Sequence, residues 1–299
     1  MRRTLVLVLV AAGCTKGDRQ TAPPAGRITV ADSAIKTPES VLYDAASDVY
    51  LVSNINGNPL EKDNNGFISR VRPDGRMENV HWIAAGRNGV TLHAPKGMAA
   101  KGDTLFVADI DAVRLFDRTT GAPLGSRTIT GASFLNDMCV GPDGTVYVTD
   151  TGIKAGPPPS GFAEAGTDAL YQFGLGGRAV AVARGRALGR PNGITADATG
   201  VIVVSFGSGE VYRIDPKTGK RTDLPKPPKG QLDGVERLAD GSLLISSWEG
   251  QAVYRLSDGA YTTAVDSVAS PADIGYDATR AVVLIPIFMQ NKIEVREVK

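Results

Sequence analysis

Six similar segments of the chain each contain one residue that differs in chemistry from copy to copy and is followed by a short apolar strand. These residues are Glu39, Lys96, Asn136, Asn192, Asp233 and Ala272. Four of the six side chains offer carboxylate or amide oxygens, and none offers an imidazole or a thiolate. Oxygen donors of this kind suit Ca²⁺, or Mg²⁺ where water completes the shell, better than zinc or copper. Because two carboxylates neutralise a divalent ion and asparagine adds no charge, these residues predict a cation site if the fold brings them together.

The elements that would position these residues form an internal repeat. Each copy begins with a segment such as "LNDMCVG" or "PNGITAD", followed by a turn and an apolar strand such as "TVYVTD" or "VIVVSF". A third strand follows in every copy, and a fourth closes the first five copies. The variable residues are 57, 40, 56, 41 and 39 positions apart, and the two long steps contain insertions. Four short antiparallel strands repeated about every 40 residues predict the blades of a β-propeller.

The number of copies predicts an all-β fold, a single six-bladed β-propeller over residues 27–299. The sixth copy ends after three strands, so the segment "RITVAD" near the start of the chain is expected to complete the last blade. Closing the ring with both chain ends removes an exposed sheet edge. Since the first strand of each blade lines the central channel of a propeller, the six variable residues are expected to meet on one ring.

Length and composition agree with one all-β domain. The chain has 299 residues, of which 42% are hydrophobic and 22% charged, and its net charge is +1. The 35 glycines and 18 prolines lie between short β-rich runs, which indicates many tight turns. A nucleic-acid-binding surface is excluded, because domains that neutralise phosphates are visibly basic. We expect a monomer that binds a small molecule.

The N-terminal sequence predicts export. "MRRTLVLVLVAAGC" has two arginines, a short apolar run and small residues before a cysteine, and it is too short for a membrane-spanning helix of about 20 residues. We interpret residues 1–13 as a lipoprotein signal peptide, Cys14 as the lipidated residue and 14–26 as a flexible tether. The lipid would be the only membrane contact, and Thr15 in the next position favours the periplasmic face of the outer membrane. The alternative is a signal peptide cut elsewhere, with Cys14 incidental.

Four of the motifs resemble the SMP-30/gluconolactonase/LRE-like family of six-bladed propellers. They are "TPESVLYD" with Glu39, "FLNDMCVGPDG" with Asn136, "RPNGITAD" with Asn192 and "QLDGVERLADGS" with Asp233. Members hold a catalytic divalent cation through a glutamate, asparagines and an aspartate. The resemblance therefore implies a metal-dependent extracytoplasmic hydrolase of a lactone or related ester. Ca²⁺ is the expected ion, with Mg²⁺ or Zn²⁺ as alternatives, and Asp233 or its neighbour would activate water.

The sequence also departs from the family pattern. Ser40 and Val41 follow Glu39, where lactonases usually have Gly-Pro. Phe134 lies two residues before Asn136, where sugar-lactone members can carry a basic residue. These differences favour a less polar substrate than a polyhydroxylated sugar lactone.

Three further residues are candidates for substrate binding: Lys96, His93 and Asn54. Lys96 projects onto the ring, where it either binds an anionic group of the substrate or pairs with Glu39 or Asp233 and leaves the site without metal. His93 is either a general base or a solvated loop histidine. Asn54 begins the first insertion, "NINGNPLEKDNNG". This insertion and the second, "TGIKAGPPPSGFAEAGTD", are expected to wall the pocket.

Two alternatives stay open at this point. The asparagines could cap turns through their side-chain amides, and the two carboxylates could line the channel without binding a metal. A non-catalytic propeller lipoprotein that binds a ligand or partner at the cell envelope is then the competing function, because the fold alone does not choose between them.

Overall fold

The computed structural model describes residues 28–158, 161–173 and 177–298, and these residues form an all-β structure of 26 strands with two short 3₁₀ helices. The predicted signal peptide, the tether and Cys14 lie outside the described residues. Within the described ranges, no helix has the length and apolar character needed to cross a membrane.

Six four-stranded antiparallel sheets form the blades of a propeller, which confirms the predicted fold class. The strand that precedes blade 1 is β1 (Ile28–Val30). Blade 1 contains β2 (Pro38–Asp44), β3 (Val49–Asn54), β4 (Phe67–Val71) and β5 (Met77–Ala84), and blade 2 contains β6 (Pro95–Lys101), β7 (Thr104–Asp109), β8 (Ala112–Asp117) and β9 (Pro123–Thr128). Blade 3 contains β10 (Leu135–Val140), β11 (Val146–Asp150), β14 (Ala169–Phe173) and β15 (Val180–Arg184). A hairpin of β12 (Ile153–Ala155) and β13 (Phe162–Glu164) is inserted in blade 3.

The second half of the ring repeats the same order. Blade 4 contains β16 (Pro191–Asp197), β17 (Gly200–Ser205), β18 (Val211–Ile214) and β19 (Arg221–Asp223). Blade 5 contains β20 (Leu232–Arg237), β21 (Leu243–Ser247), β22 (Ala252–Ser257) and β23 (Ala260–Val265). Blade 6 contains β24 (Gly275–Asp277), β25 (Val282–Ile287) and β26 (Lys292–Glu297). The 3₁₀ helices are Arg186–Leu188, before blade 4, and Phe288–Gln290, within blade 6.

Both ends of the chain contribute to blade 6. β1 pairs antiparallel with β26, with Ile28 opposite Val295 and Val30 opposite Ile293. The N-terminal strand therefore becomes the outer strand of the last blade, at the position that the sequence left unfilled. This pairing covers an edge of β26 that would otherwise present free backbone groups.

The hydrophobic core lies between neighbouring blades rather than along the axis. Phe106 and Val113 of blade 2 pack with Met138 and Tyr171 of blade 3, and each further pair of neighbours has a comparable cluster. Alternating strand residues supply these clusters, as expected for sheets that are buried on both faces.

The inner strands of blades 1 to 5 have an irregular register at the ring residue. In blade 4, Pro191 pairs with Ser205 and Ile194 pairs with Val203, so Asn192 and Gly193 lie in a bulge. Bulges re-aim side chains and commonly occur beside functional sites. The same irregularity in five blades directs the ring residues toward the channel.

Gly193 does not form a hairpin turn, although Asn-Gly often does. The turn comes later, between β16 and β17, as the alternation of the sequence predicts. A Cβ atom at Gly193 would lie 2.8 Å from Cα of Gly234 in the next inner strand and would collide with the carbonyl oxygen of Asp233. Glycine at this position therefore permits the close approach of adjacent inner strands at the axis.

Candidate active site

Four oxygen atoms at the ring are buried and accept no hydrogen bond. They belong to the side chains predicted as cation ligands: Glu39 Oε2, Asn136 Oδ1, Asn192 Oδ1 and Asp233 Oδ1. These residues retain 4–6% of their exposure, whereas Lys96 and Ala272, the other two ring residues, are fully buried. The four oxygen-bearing side chains thus keep a small contact with solvent, whereas Lys96 and Ala272 have none.

The orientation of the Asn136 amide is fixed by its neighbours. Its Nδ2 donates to Oγ1 of Thr151 at 2.9 Å, and the same hydroxyl donates to the carbonyl of Pro191 at 2.8 Å. Since the amide nitrogen has a partner on the blade side, the unpartnered Oδ1 is left for the channel. A buried acceptor without a donor is unfavourable, and a cation relieves it. The donor set therefore fits a hard divalent ion.

Amide oxygens are essential to this candidate site. Among residues 28–158, 161–173 and 177–298, no group of three or more histidine, cysteine, aspartate or glutamate side chains has a metal-binding arrangement. The ring supplies only two carboxylates, and the two asparagines complete a set of four oxygens.

Burial raises the pKa of both ring carboxylates. For Glu39 the desolvation is reinforced by the negative charges of Asp233 and Asp273 and opposed by Lys96. For Asp233 it is reinforced by Asp273 and opposed by the Trp248 indole and the Asn192 amide, although the Trp248 N–H makes no hydrogen bond of good geometry. A bound cation would favour the ionised forms of both carboxylates.

A second group of acids lies next to the ring and was not predicted from the sequence. Asp137 accepts hydrogen bonds from the backbone N–H groups of Met138 and Ile194, yet burial raises its pKa. Burial also raises the pKa of Asp273 to about 7 and that of Glu236 to about 8. The available signal was positional, because Asp137 and Asp273 each follow a ring residue directly.

Hydroxyl groups on the second strands hold the bulges in place. Thr149 Oγ1 accepts from the N–H of Asp137 at 3.1 Å and donates to the carbonyl of Asn192 in the next blade at 2.6 Å. Ser246 repeats this arrangement between Gly234 and Ala272, at 2.8 Å on both sides. Each hydroxyl thereby fixes one ring strand against the next, and no local sequence pattern indicates this role.

Comparison with protein families identifies residues 37–274 as an SMP-30/gluconolactonase/LRE-like region. The chain belongs to the SMP-30/gluconolactonase/LRE-like family. The match includes all four oxygen-bearing ring residues and so agrees with the resemblance found in their motifs. A comparison with curated proteins found no match.

Solved structures of this family and related enzymes share the fold. A putative gluconolactonase is 17% identical with a TM-score of 0.66, over 92% of this chain and 94% of that protein. A gluconolactonase of Xanthomonas campestris is 16% identical with a TM-score of 0.67, over 91% of this chain and 89% of that one. A luciferin-regenerating enzyme is 14% identical with a TM-score of 0.66, over 91% of this chain and 95% of that one.

In this SMP-30/gluconolactonase/LRE-like propeller, Lys96 makes no ion pair with either ring carboxylate. Its Nζ donates to the carbonyl of Ala94 at 3.0 Å and lies 4.2 Å from the ring centroid of Phe134. Burial lowers the pKa of Lys96 to about 8, while Glu39 and Asp109 oppose the shift. Phe134, which replaces a basic residue found in some family members, thus provides an aromatic face to a buried ammonium group.

The structure places Asn54 inside blade 1, with both polar atoms of its side chain already hydrogen-bonded. Asn54 is fully buried, its Oδ1 accepts from the N–H of Lys36, and its Nδ2 donates to Val52 O and Ser69 Oγ. The side chain connects the end of β3 to its surroundings in blade 1. The sequence placed Asn54 in an insertion, whereas it is the last residue of a strand.

His93 and the two insertions lie on the same face as the ring. His93 is half-buried and its Nδ1 accepts from the N–H of Asn64, a residue of the first insertion. The β12–β13 hairpin of the second insertion contacts blade 4 through Glu164, which pairs with Arg190 at 3.4 Å. Each insertion connects a second strand to a third strand, as predicted. Whether His93 contacts a substrate stays a prediction.

Proposed function

We propose that this protein is a metal-dependent hydrolase of a lactone or related ester, with Ca²⁺ as its ion, acting outside the cytoplasm. One observation carries the proposal: four different blades each contribute a buried side-chain oxygen that accepts no hydrogen bond, at the same position of the inner strand. The gluconolactonases among the structural neighbours support the reaction class. The signal-like N-terminal sequence supports the location.

The residues divide into holding and proton-transfer roles. A divalent ion held by the four oxygens would polarise the substrate carbonyl and stabilise the developing oxyanion. Glu39, Asn136 and Asn192 would hold this ion and fix its position. Asp233, on the same ring, would accept a proton from the attacking water.

Metal analysis of purified protein, combined with a panel of lactones and aryl esters, tests the function. We expect one tightly bound divalent ion per chain, loss of hydrolysis after chelation and recovery with Ca²⁺. Asp233→Asn should weaken ion binding and abolish hydrolysis, because it removes one of two ligand charges and the base. Asp223→Asn, at a 71% exposed side chain on the outer strand of blade 4, is the matched control. Protein that holds no ion and shows no calcium-dependent activity would contradict the proposal.

A further inference from the structure

A second ring of residues surrounds the ring of ligands. These residues occupy the same place in every blade, directly after the second strand: Ile55, Ile110, Thr151, Phe206, Trp248 and Phe288. We call this set the collar. Five of its six members are apolar or aromatic, and the three aromatic residues lie in the consecutive blades 4, 5 and 6.

Backbone hydrogen bonds fix the collar beside the ligands. The N–H of Phe206 donates to the carbonyl of Arg190 at 3.1 Å, and the N–H of Trp248 donates to the carbonyl of Gln231 at 3.0 Å. These acceptors lie two residues before Asn192 and Asp233. In blade 6 the N–H of Phe288 donates to Ser270, two residues before Ala272, at 3.1 Å. In blades 4 to 6 the collar residues therefore lie next to the segments that lead into the ring residues.

The three aromatic side chains form one continuous surface. The ring centroids of Phe206 and Trp248 are 5.7 Å apart, and those of Trp248 and Phe288 are 5.3 Å apart. Phe288 also packs against the buried cluster that contains Ile55 and Ile110. All three aromatic residues are half-buried, so a face of each is open to a bound molecule.

Two side chains of blade 3 beside the ring are already engaged. The Thr151 hydroxyl is already used by the Asn136 amide and the Pro191 carbonyl. Phe134 lies against the ammonium group of Lys96. A hydroxyl-bearing substituent would find no free hydrogen-bond partner in these two side chains, whereas an apolar substituent would gain by burial against the aromatic rings.

We propose that Phe206, Trp248 and Phe288 form a shelf that binds an aromatic or alkyl substituent of the substrate. The substrate class is then an aryl- or alkyl-substituted lactone or ester rather than a sugar lactone. This inference depends on the proposed function for its reaction, but the shelf binds the substituent whether or not hydrolysis follows.

Fluorescence of Trp248 tests the shelf without turnover. The chain has two tryptophans, so Trp82→Phe, on the outer strand of blade 1, leaves Trp248 as the sole emitter. A benzo-fused six-membered lactam, an unreactive analogue of an aryl lactone, should change the emission saturably. A polyhydroxylated lactam of the same ring size should not. Phe288→Ala should weaken binding of the aromatic lactam by about tenfold. Leu124→Ala, at an exposed leucine of β9, should leave this binding unchanged. Equal responses to both lactams would overturn the shelf.

Kinetics separates failure of the shelf from failure of the proposed function. We expect the ratio of kcat/KM for a benzo-fused δ-lactone to that for a polyhydroxylated δ-lactone to exceed one and to fall about tenfold in Phe206→Ala or Phe288→Ala. If hydrolysis occurs but both variants leave this ratio unchanged, the shelf is wrong and the hydrolase stands. If the aromatic lactam binds at Trp248 but no lactone or ester is hydrolysed, the shelf stands and the hydrolase is wrong.

Discussion

Ligand chemistry explains the two ring asparagines better than turn capping does. An asparagine that caps a turn uses its Oδ1 to accept a backbone N–H about two residues further on. Oδ1 of Asn136 and Oδ1 of Asn192 accept no such bond. Each buried acceptor without a partner costs about 1–3 kcal/mol, and the ring places four of them together. A bound cation removes this cost, so the ring residues favour the metal-site interpretation.

Removal of the Lys96 charge should strengthen cation binding in a pH-dependent manner. Lys96→Met keeps the length of the side chain while removing a positive charge that acts on Glu39. We expect the affinity for Ca²⁺, measured by calorimetry, to rise by about tenfold at pH 7. The gain should disappear at pH 9, because the pKa of about 8 leaves Lys96 itself neutral there.

Lys101→Met is the control for this change. Lys101 ends the same strand, and its Nζ donates to the carbonyl of Gly144 at 2.6 Å, away from the ring. Its substitution should leave the affinity unchanged at both pH values. An equal affinity gain of Lys96→Met at pH 7 and pH 9 would show that the ammonium charge does not act on the ion.

At the level of strands, the repeat pattern predicts the elements within each blade but not the contacts between blades. Strand order, the insertions and the convergence of Glu39 and Asp233 follow from the spacing of similar segments. Asp137 escaped prediction because its position matters only once neighbouring inner strands approach each other. Thr149 escaped for a related reason, since its hydroxyl connects two blades that are distant in sequence. Local patterns do not encode such inter-blade bonds.

Loss of the Thr149 hydroxyl should weaken both the fold and the cation site. Thr149→Val is nearly isosteric, but it leaves the Asp137 N–H and the Asn192 carbonyl without their shared partner. We expect a loss of about 1–3 kcal/mol in the free energy of unfolding by urea, with weaker Ca²⁺ binding because the Asn192 strand is no longer fixed. Thr149→Ser retains the hydroxyl and should restore both properties. Equal stability of the valine variant and the native protein would refute this role.

At the level of the whole molecule, the position of β1 determines where the predicted N-terminal anchor would meet the propeller. β1 begins at Ile28 and ends in the outer position of blade 6. The tether predicted at residues 14–26 would therefore leave the ring at its periphery. Attachment at this place would let a lipid at Cys14 hold the protein at a membrane without strain on the blades.

We propose that Cys14 is lipidated and that the protein is retained at the periplasmic face of the outer membrane. Expression of the native chain in a Gram-negative host should place the protein in the membrane fraction and label it with a fatty-acid analogue. Cys14→Ser should abolish labelling and processing at this site. Cys139→Ser, in a strand of blade 3, is the control and should retain the label. Membrane retention and processing of Cys14→Ser as in the native chain would show that the anchor lies elsewhere.

The acids of the channel should make the metal-free protein less stable as pH rises. Burial raises the pKa of Glu39, Asp137 and Asp233, that of Asp273 to about 7 and that of Glu236 to about 8. An acid whose folded pKa is raised stabilises the fold fully below its unfolded pKa, and this stability is lost as pH rises through the folded pKa. For Asp273 and Glu236 the loss should therefore fall between about pH 4 and pH 8. Lys96 does not change this slope, because it is charged in both states over most of that range.

Ca²⁺ should have the opposite dependence. Its ligands must be ionised, so its affinity and its stabilising effect rise with pH over the same interval. After chelation, we expect the melting temperature to be lower at pH 8 than at pH 5, with Ca²⁺ raising it by several degrees at pH 8 and little at pH 5. Glu236→Gln removes one carboxyl group with a raised pKa while keeping the size of the side chain. It should flatten the pH dependence of the melting temperature of the metal-free protein. A melting temperature of the metal-free protein that rises from pH 5 to pH 8 would mean that the channel carboxylates are not the groups that control its stability.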